Sequence, residues 1–301
     1  MIIVIVGPTG VGKTALSLAL AKHFNTEIIS GDAMQIYQSM DIGTAKIPSN
    51  KKAGIPHHMI DILKPDESYS VADYQRDVRR HIEKQLKQDK LPIIVGGTGF
   101  YIKSVLYDYR FEDDKRDLEL EQHYQTMDNE TLHAQLKKYD EKKAATLHPN
   151  NKKRVLRALV QAKKGTPLSQ KKGKDTPVYD YCMIFLNKKR DELYRIIDQR
   201  VDDMFGAGLI QEAQKLYQKN LSKTAQQAIG YKELFASFEG QYDLDEAKSL
   251  IKRHSRQYAK RQLTYFKHQF KAHEIDTTNK TFNAIFEAAK DVIKQAIDAK
   301  N

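Results

Sequence analysis

The chain has 301 residues, 40% hydrophobic and 30% charged, enough for one large or two modest domains around a buried core. Its single cysteine, Cys182, excludes a disulfide framework and a thiolate zinc site, and no apolar run approaches the ~20 residues of a membrane helix. Lys and Arg number 50 against 39 Asp and Glu, a net charge of +11, and the stretch from Lys137 to Lys174 alone holds 13 cations and 2 acids, so one segment carries the whole excess, as expected of a polyanion-binding surface.

The opening run "MIIVIV" reads as a fully buried strand. It is too short for a secretory signal and lacks a basic start, so the expected compartment is the cytoplasm. "GPTGVGKT" follows at once and fits G-x-x-x-x-G-K-[ST] from Gly7 through Pro8, Thr9, Gly10, Val11, Gly12 and Lys13 to Thr14. Strand before and helix after, from about Gly12 to Phe24, supply the context this phosphate turn requires. Glycines allow close backbone approach, and successive N–H groups at a helix N-terminus attract phosphate oxygens. Lys13 adds a charge and Thr14 a hydroxyl for magnesium or a phosphate oxygen. The motif specifies a bound diphosphate or triphosphate, not its fate.

"TEIIS" is a second strand, placing Asp32 at its C-terminal end, where open α/β sheets bind ligands. An acceptor facing the phosphate site and a plain turn aspartate are equally open readings of it. Gln35 nearby has the chemistry to read a base. In "GIPHHMID", adjacent His57 and His58 lack a third ligand and fit a loop better than a metal site. Ser70 opens a helix, with Asp73 as capping-box partner. "LPIIVGG" is a third strand whose turn carries Thr98 among Gly96, Gly97 and Gly99. The only approach to a Walker-B aspartate is "HHMIDIL", which disfavours a nucleotide-driven motor.

From about Phe111 to Lys174 the chain reads as helices without strands, with "GTPLSQKKGKDTP" as a connector. In "NNKKRVLRALVQAKKG", Arg154, Arg157, Gln161 and Lys164 share one helical face, with Val155, Leu156, Leu159 and Val160 turned elsewhere and Gly165 as stop. "YDYCMIFL" returns as a strand that buries Cys182. A second basic stripe, Arg253, Arg256, Lys260 and Lys267, faces away from Ala259, Leu263, Phe266 and Phe270, and no acid lies between Ser249 and His273. Two such stripes favour contact with a phosphate backbone over a merely solvated face. The expected fold class is α/β: a P-loop NTPase-like parallel-sheet core over 1–110, a basic helical insertion over 111–174, and core completion with C-terminal helices over 175–301.

Taken in order, "GPTGVGKT", "ISGDAMQIYQSMDIGTAK", "GIPHHMIDIL", "PIIVGGTGFY", "LHPNNKKRVLRAL", "IDQRVDDM", "AIGYKEL" and "RQYAKRQLTYF" resemble the bacterial tRNA dimethylallyltransferases, the IPP transferase family, across about Ile2 to Phe266. The phosphate turn alone is widespread; the ordered set is specific. The resemblance implies transfer of a dimethylallyl group from dimethylallyl diphosphate to the exocyclic amine of the adenosine just 3′ of the anticodon, in tRNAs reading codons that begin with U. It implies Asp32 as base, with Thr14 and Arg200 acting with the phosphate turn on the diphosphate, and Mg²⁺ near Thr14. It implies tRNA contacts at Asp32, Ala33, Met34, Gln35, Thr98, Lys153, Arg154, Arg157, Gln227, Gly230, Tyr231, Lys232, Lys260 and Arg261. The implied partners are the tRNA anticodon stem-loop and the diphosphate, with neither a membrane nor a protein partner, and a monomer is expected. The chain departs from the common pattern at Gly31 and Ala33, where Ala and Ser are usual, at Gly10-Val11 in place of Ala-Ser, and at Tyr265 in place of Trp. An ATP-dependent small-molecule kinase and an RNA-binding protein with a nucleotide switch remain the alternatives from other classes.

Overall fold

The computed structural model describes residues 1–111, 117–169 and 176–299, omitting the side chain of Leu118; most of the Lys and Gly connector after Ser169 lies outside them. The chain divides into two compact units, one of residues 1–106 with 177–301 and one of residues 107–176. The boundaries expected from the sequence are 110/111 and 174/175.

In the first unit β1 (Ile2–Val6) leads through the phosphate turn into α1 (Lys13–His23), then β2 (Ile28–Ser30), β3 (His57–His58), α2 (Val71–Leu86), β4 (Ile93–Gly96) and α3 (Gly99–Leu106). The second unit holds α4 (Leu118–Gln125), α5 (Asn129–Tyr139), α6 (Glu141–Ala144) and α7 (Lys152–Lys163). The chain re-enters the first unit as β5 (Tyr181–Asn187), α8 (Arg190–Gly206), α9 (Leu209–Tyr217), α10 (Lys223–Gln226), α11 (Tyr231–Phe238), α12 (Leu244–Gln269), β6 (His273–Asp276) and α13 (Phe282–Asp298).

The six strands form one sheet in the order β3-β2-β4-β1-β5-β6, and every pairing is parallel. Central β1 is buried on both faces, which is why its sequence is a continuous apolar run. Ile3 and Ile5 join Leu16 and Leu20 of α1, Leu193 and Ile197 of α8, and Ala289 and Ile293 of α13 in one core. A second core gathers Tyr37, Met40, Leu209, Leu216, Tyr231 and Leu234 around α9 to α11. Ser70 and Asp73 close the expected capping box on α2.

Three expectations need correction. The C-terminal half is not purely helical: β6 adds an edge strand in which only Ile275 is buried, so it has no apolar run to announce it. His57 and His58 are a two-residue edge strand rather than loop, paired in register with Ile28 and Ile29. His58 Nε2 lies 2.7 Å from Glu27, and its ring stacks on His81. The stripe on α12 is not all open to a polyanion, because Arg256 donates to Asp198 at 2.5 Å and Lys267 pairs with Glu274 at 3.7 Å.

The second unit packs Leu132 and Leu136 of α5 against Val155, Ala158 and Leu159 of α7, with Tyr124 and Ala144. Lys153, Arg154, Arg157 and Lys163 stand on the exposed side of α7, and Gly165, at φ 76°, ends that helix in the left-handed region. No helix among the described residues is long and apolar enough to cross a membrane.

Candidate active site

Parallel strands send their C-terminal ends, and the loops that follow, to one edge of the sheet. The loops after β1, β2 and β4 all emerge there, because these strands are neighbours in the order β2-β4-β1. They carry, respectively, the phosphate turn, Asp32 and Thr98.

Gly10 (φ 87°) and Gly12 (φ 93°) adopt the left-handed backbone that turns the chain into α1. Lys13 folds back over the turn, its ammonium donating to the Gly7 carbonyl at 2.9 Å and the Pro8 carbonyl at 2.6 Å. Thr14 is exposed at the start of α1. From α8, Arg200 reaches over the turn and its Nη1 donates to Thr9 Oγ1 at 3.0 Å. Burial, reinforced by Arg200, pushes the Lys13 pKa down to about 7, with Asp32 pulling the other way. Burial also lowers Arg200, again opposed by Asp32. Two cations and one carboxylate therefore share one field, and the cations outnumber the carboxylate. A bound polyphosphate anion would relieve that imbalance.

Asp32 Oδ1 accepts from the backbone N–H of Met34 at 2.8 Å and of Gln35 at 3.4 Å. This is the turn geometry that had been an alternative to a functional role. The two are compatible, since a carboxylate offers several lone-pair sites and only one oxygen is engaged in these bonds. Thr98 Oγ1 accepts the Ala33 N–H at 3.0 Å, so the loops after β2 and β4 are joined beside Asp32. Gln35 is committed in part: its Oε1 accepts from Ser30 at 3.1 Å and its Nε2 donates to the Thr44 carbonyl at 3.3 Å.

Two residues of α12 complete the site without having been singled out from the sequence. Burial, with Asp32 nearby, pushes the Tyr258 phenol up to about 12. Gln262 is 5% exposed; its Oε1 accepts the Thr9 N–H at 3.1 Å and its Nε2 donates to the Gly97 carbonyl at 3.0 Å. The signal was spacing: Ala259, Gln262 and Phe266, all buried, step along one helical face. Tyr74, whose hydroxyl donates to the Ser30 carbonyl at 3.0 Å, and Tyr101 pack together under the same loops.

Other candidates lie elsewhere. Lys260 and Arg261 are exposed and line, with Thr264, Tyr265, His268 and Gln269, a cavity of about 360 Å³. Gln227 is exposed at the end of α10, and Lys232 is half-buried 3.4 Å from Glu233. Tyr231 is 0% exposed and its hydroxyl donates to Glu212 at 2.6 Å, so its side chain packs in the core rather than standing open on the surface. Gly230 is likewise buried, its N–H donated to Glu233. Lys153, Arg154 and Arg157 belong to the second unit.

Thr14 and Asp32 offer hard oxygen donors, the kind that suit magnesium, an ion that keeps most of its shell as water and substrate phosphate oxygens. The donor set fits such an ion held chiefly by a diphosphate.

A family model described as IPP transferase matches residues 35–269, beginning just downstream of Asp32. The tRNA dimethylallyltransferase of Bacillus subtilis (strain 168) is 48% identical over 285 residues, covering 92% of this chain and 91% of that one. That of Anoxybacillus flavithermus is 46% identical over 303 residues, covering 99% and 96%. Among solved structures, the tRNA isopentenylpyrophosphate transferase of Bacillus halodurans superposes with a TM-score of 0.77 at 42% identity, covering 99% of this chain and 97% of that. A eukaryotic dimethylallyltransferase acting on tRNA gives a TM-score of 0.86 at 30% identity, covering 100% of this chain and 80% of that. The chain belongs to the IPP transferase family.

Proposed function

We propose that the protein is a tRNA dimethylallyltransferase: it moves a dimethylallyl group from dimethylallyl diphosphate to the N6 amine of the adenosine 3′ of the anticodon and releases diphosphate. The observation that carries this reading is the meeting, at one edge of the sheet, of a phosphate turn bonded to two half-buried cations and a carboxylate on the neighbouring loop. The near-50% identity to a tRNA dimethylallyltransferase supports it along 92% of the chain.

The adenine amine is a weak nucleophile because its lone pair is delocalised into the ring. Asp32 accepts its N–H, restores electron density and takes the proton as the bond to the allylic carbon forms. The C–O bond to diphosphate breaks, and charge builds on the leaving group. Lys13, Arg200 and the amides around Gly12 stabilise that charge in an enclosed site. Magnesium bound to the diphosphate near Thr14 would neutralise part of the same charge. The stacked base cannot reach Asp32, so it is flipped out and held beside Thr98 and Gln35. The exposed cations of α7 and of the C-terminal end of α12 bind the phosphate backbone of the stem-loop. The enzyme works as a cytoplasmic monomer, one copy to one stem-loop.

A P-loop kinase, which the phosphate turn alone allowed, gains no support from the relatives described above, each named as a dimethylallyltransferase of tRNA. The test is incubation with labelled dimethylallyl diphosphate, unmodified tRNA and Mg²⁺ without ATP. Label appearing in the tRNA is the expected result; its absence overturns the proposal.

A further inference from the structure

We infer that Gln262 is a positioning residue that fixes the distance between the leaving diphosphate and the acceptor amine, an inference that rests on the reading above. A buried primary amide has two donors and one acceptor oxygen, and its orientation follows from what surrounds it. The Thr9 N–H needs an acceptor and the Gly97 carbonyl needs a donor, so only one orientation of Gln262 satisfies both. The side chain thereby ties the diphosphate turn to the turn after β4.

Each partner leads to one substrate. Thr9 also holds Arg200 through its hydroxyl. Gly97 precedes Thr98, whose hydroxyl takes the Ala33 N–H next to Asp32. The chain of contacts thus runs from Arg200 through Thr9, Gln262 and Gly97 to Thr98 and Asp32, from leaving-group cation to base. Its tightness is visible at Gly97, where an added Cβ would sit 2.1 Å from Gln262 Nε2. Any side chain there displaces the amide. A further consequence concerns the phosphate turn itself. The Thr9 N–H is spent on Gln262, so that amide orients the turn rather than gripping phosphate.

In-line displacement requires carbon, nucleophile and leaving group to be aligned, and a misplacement of about 1 Å costs about 10²-fold in rate. The test is single-turnover transfer under saturating enzyme, which separates the rate constant from the fraction of molecules that react. Gln262→Met keeps the volume and removes both hydrogen bonds. The expected result is a rate constant lowered about 30-fold or more, with tRNA affinity within about twofold of native. A merely structural role would lower the amplitude and leave the rate constant alone. Gln262→Glu serves as second variant, and decides the matter should Gln262→Met fail to fold. Only its protonated carboxyl both accepts from Thr9 and donates to Gly97, so its rate constant relative to native rises as pH falls from 9 to 6. A folded Gln262→Met with a rate constant within about threefold of native, or a Gln262→Glu ratio flat with pH, overturns the inference. The native protein run alongside keeps the two failures apart: absence of transfer there overturns the activity itself.

Discussion

In the first unit Lys13 and Arg200 are half-buried, bonded to the phosphate turn and shifted by burial. In the second, Lys153, Arg154 and Arg157 stand on the outer face of a helix whose other face packs a small apolar core. In the proposed reaction the first set is preorganised where charge develops, so its contribution should appear in the rate. On the same proposal the second set meets a hydrated polyanion and displaces its counterions, so its contribution should appear in affinity and in salt dependence. The same residue types thus do different work according to burial.

The sharpest way to break this contrast is at the base. Asp32→Asn keeps the turn hydrogen bonds and removes proton acceptance, and should lower single-turnover transfer by about 10²–10⁴-fold with tRNA binding near native. Asp32→Asn turning over at a native rate would remove Asp32 as base. Lys13→Met should lower the same rate by about 10²–10³-fold, and labelled-tRNA binding should change little. Exposed Arg154→Ala with Arg157→Ala should do the reverse: a weaker tRNA complex, a salt slope reduced by about 2, and a nearly unchanged rate at saturating tRNA. A rate defect in that double variant that survives saturation would mean that the two sets of cations are not separable.

Proton linkage gives a finer test. In the free protein Lys13 sits at about 7 against an ordinary 10.5, so between these values the unfolded chain binds more protons than the folded one. The Lys13 contribution to stability therefore rises with pH from about 7 to 10.5 and is flat below 7. Diphosphate favours the charged form, so its binding above pH 7 should take up protons, measurable by titration calorimetry in buffers of different ionisation heat. Lys13→Met should abolish that uptake. The smallest effect belongs to Tyr231→Phe, which leaves Glu212 short of one hydrogen bond. It should destabilise the fold by about 1–3 kcal/mol, seen as a lower Tm, with tRNA affinity unchanged.

How much of this could be read beforehand differs residue by residue. The phosphate turn, the central strands and the capping box on α2 announce themselves because local chemistry and short-range periodicity determine them. β6 does not, since a polar edge strand with one buried residue has no such pattern. The burial of Tyr231 is not legible in its motif, because it depends on Glu212 and on a core assembled from distant segments. Arg256 looked like part of a free stripe until α8 brought Asp198 against it. Gln262 sat among cations, where a buried amide is invisible unless its register with Ala259 and Phe266 is followed.

One backbone detail bears on how the chain assembles. The Val178 N–H donates to the Leu106 carbonyl at 2.8 Å, and the Asp108 N–H to the Thr176 carbonyl at 3.0 Å. The outgoing and returning strands of chain are thus stapled at the neck of the inserted segment. To build the sheet, β5 must find β1 across residues 7–180, of which the inserted segment, 107–176, is a part. If the neck closes first, that search is shortened by the length of the insertion, less than one halving of the loop, which recovers under about 0.6 kcal/mol of closure entropy. The neck is therefore a natural place to shorten the chain: joining residue 106 to residue 177 through a brief linker should leave a sheet that folds, and faster.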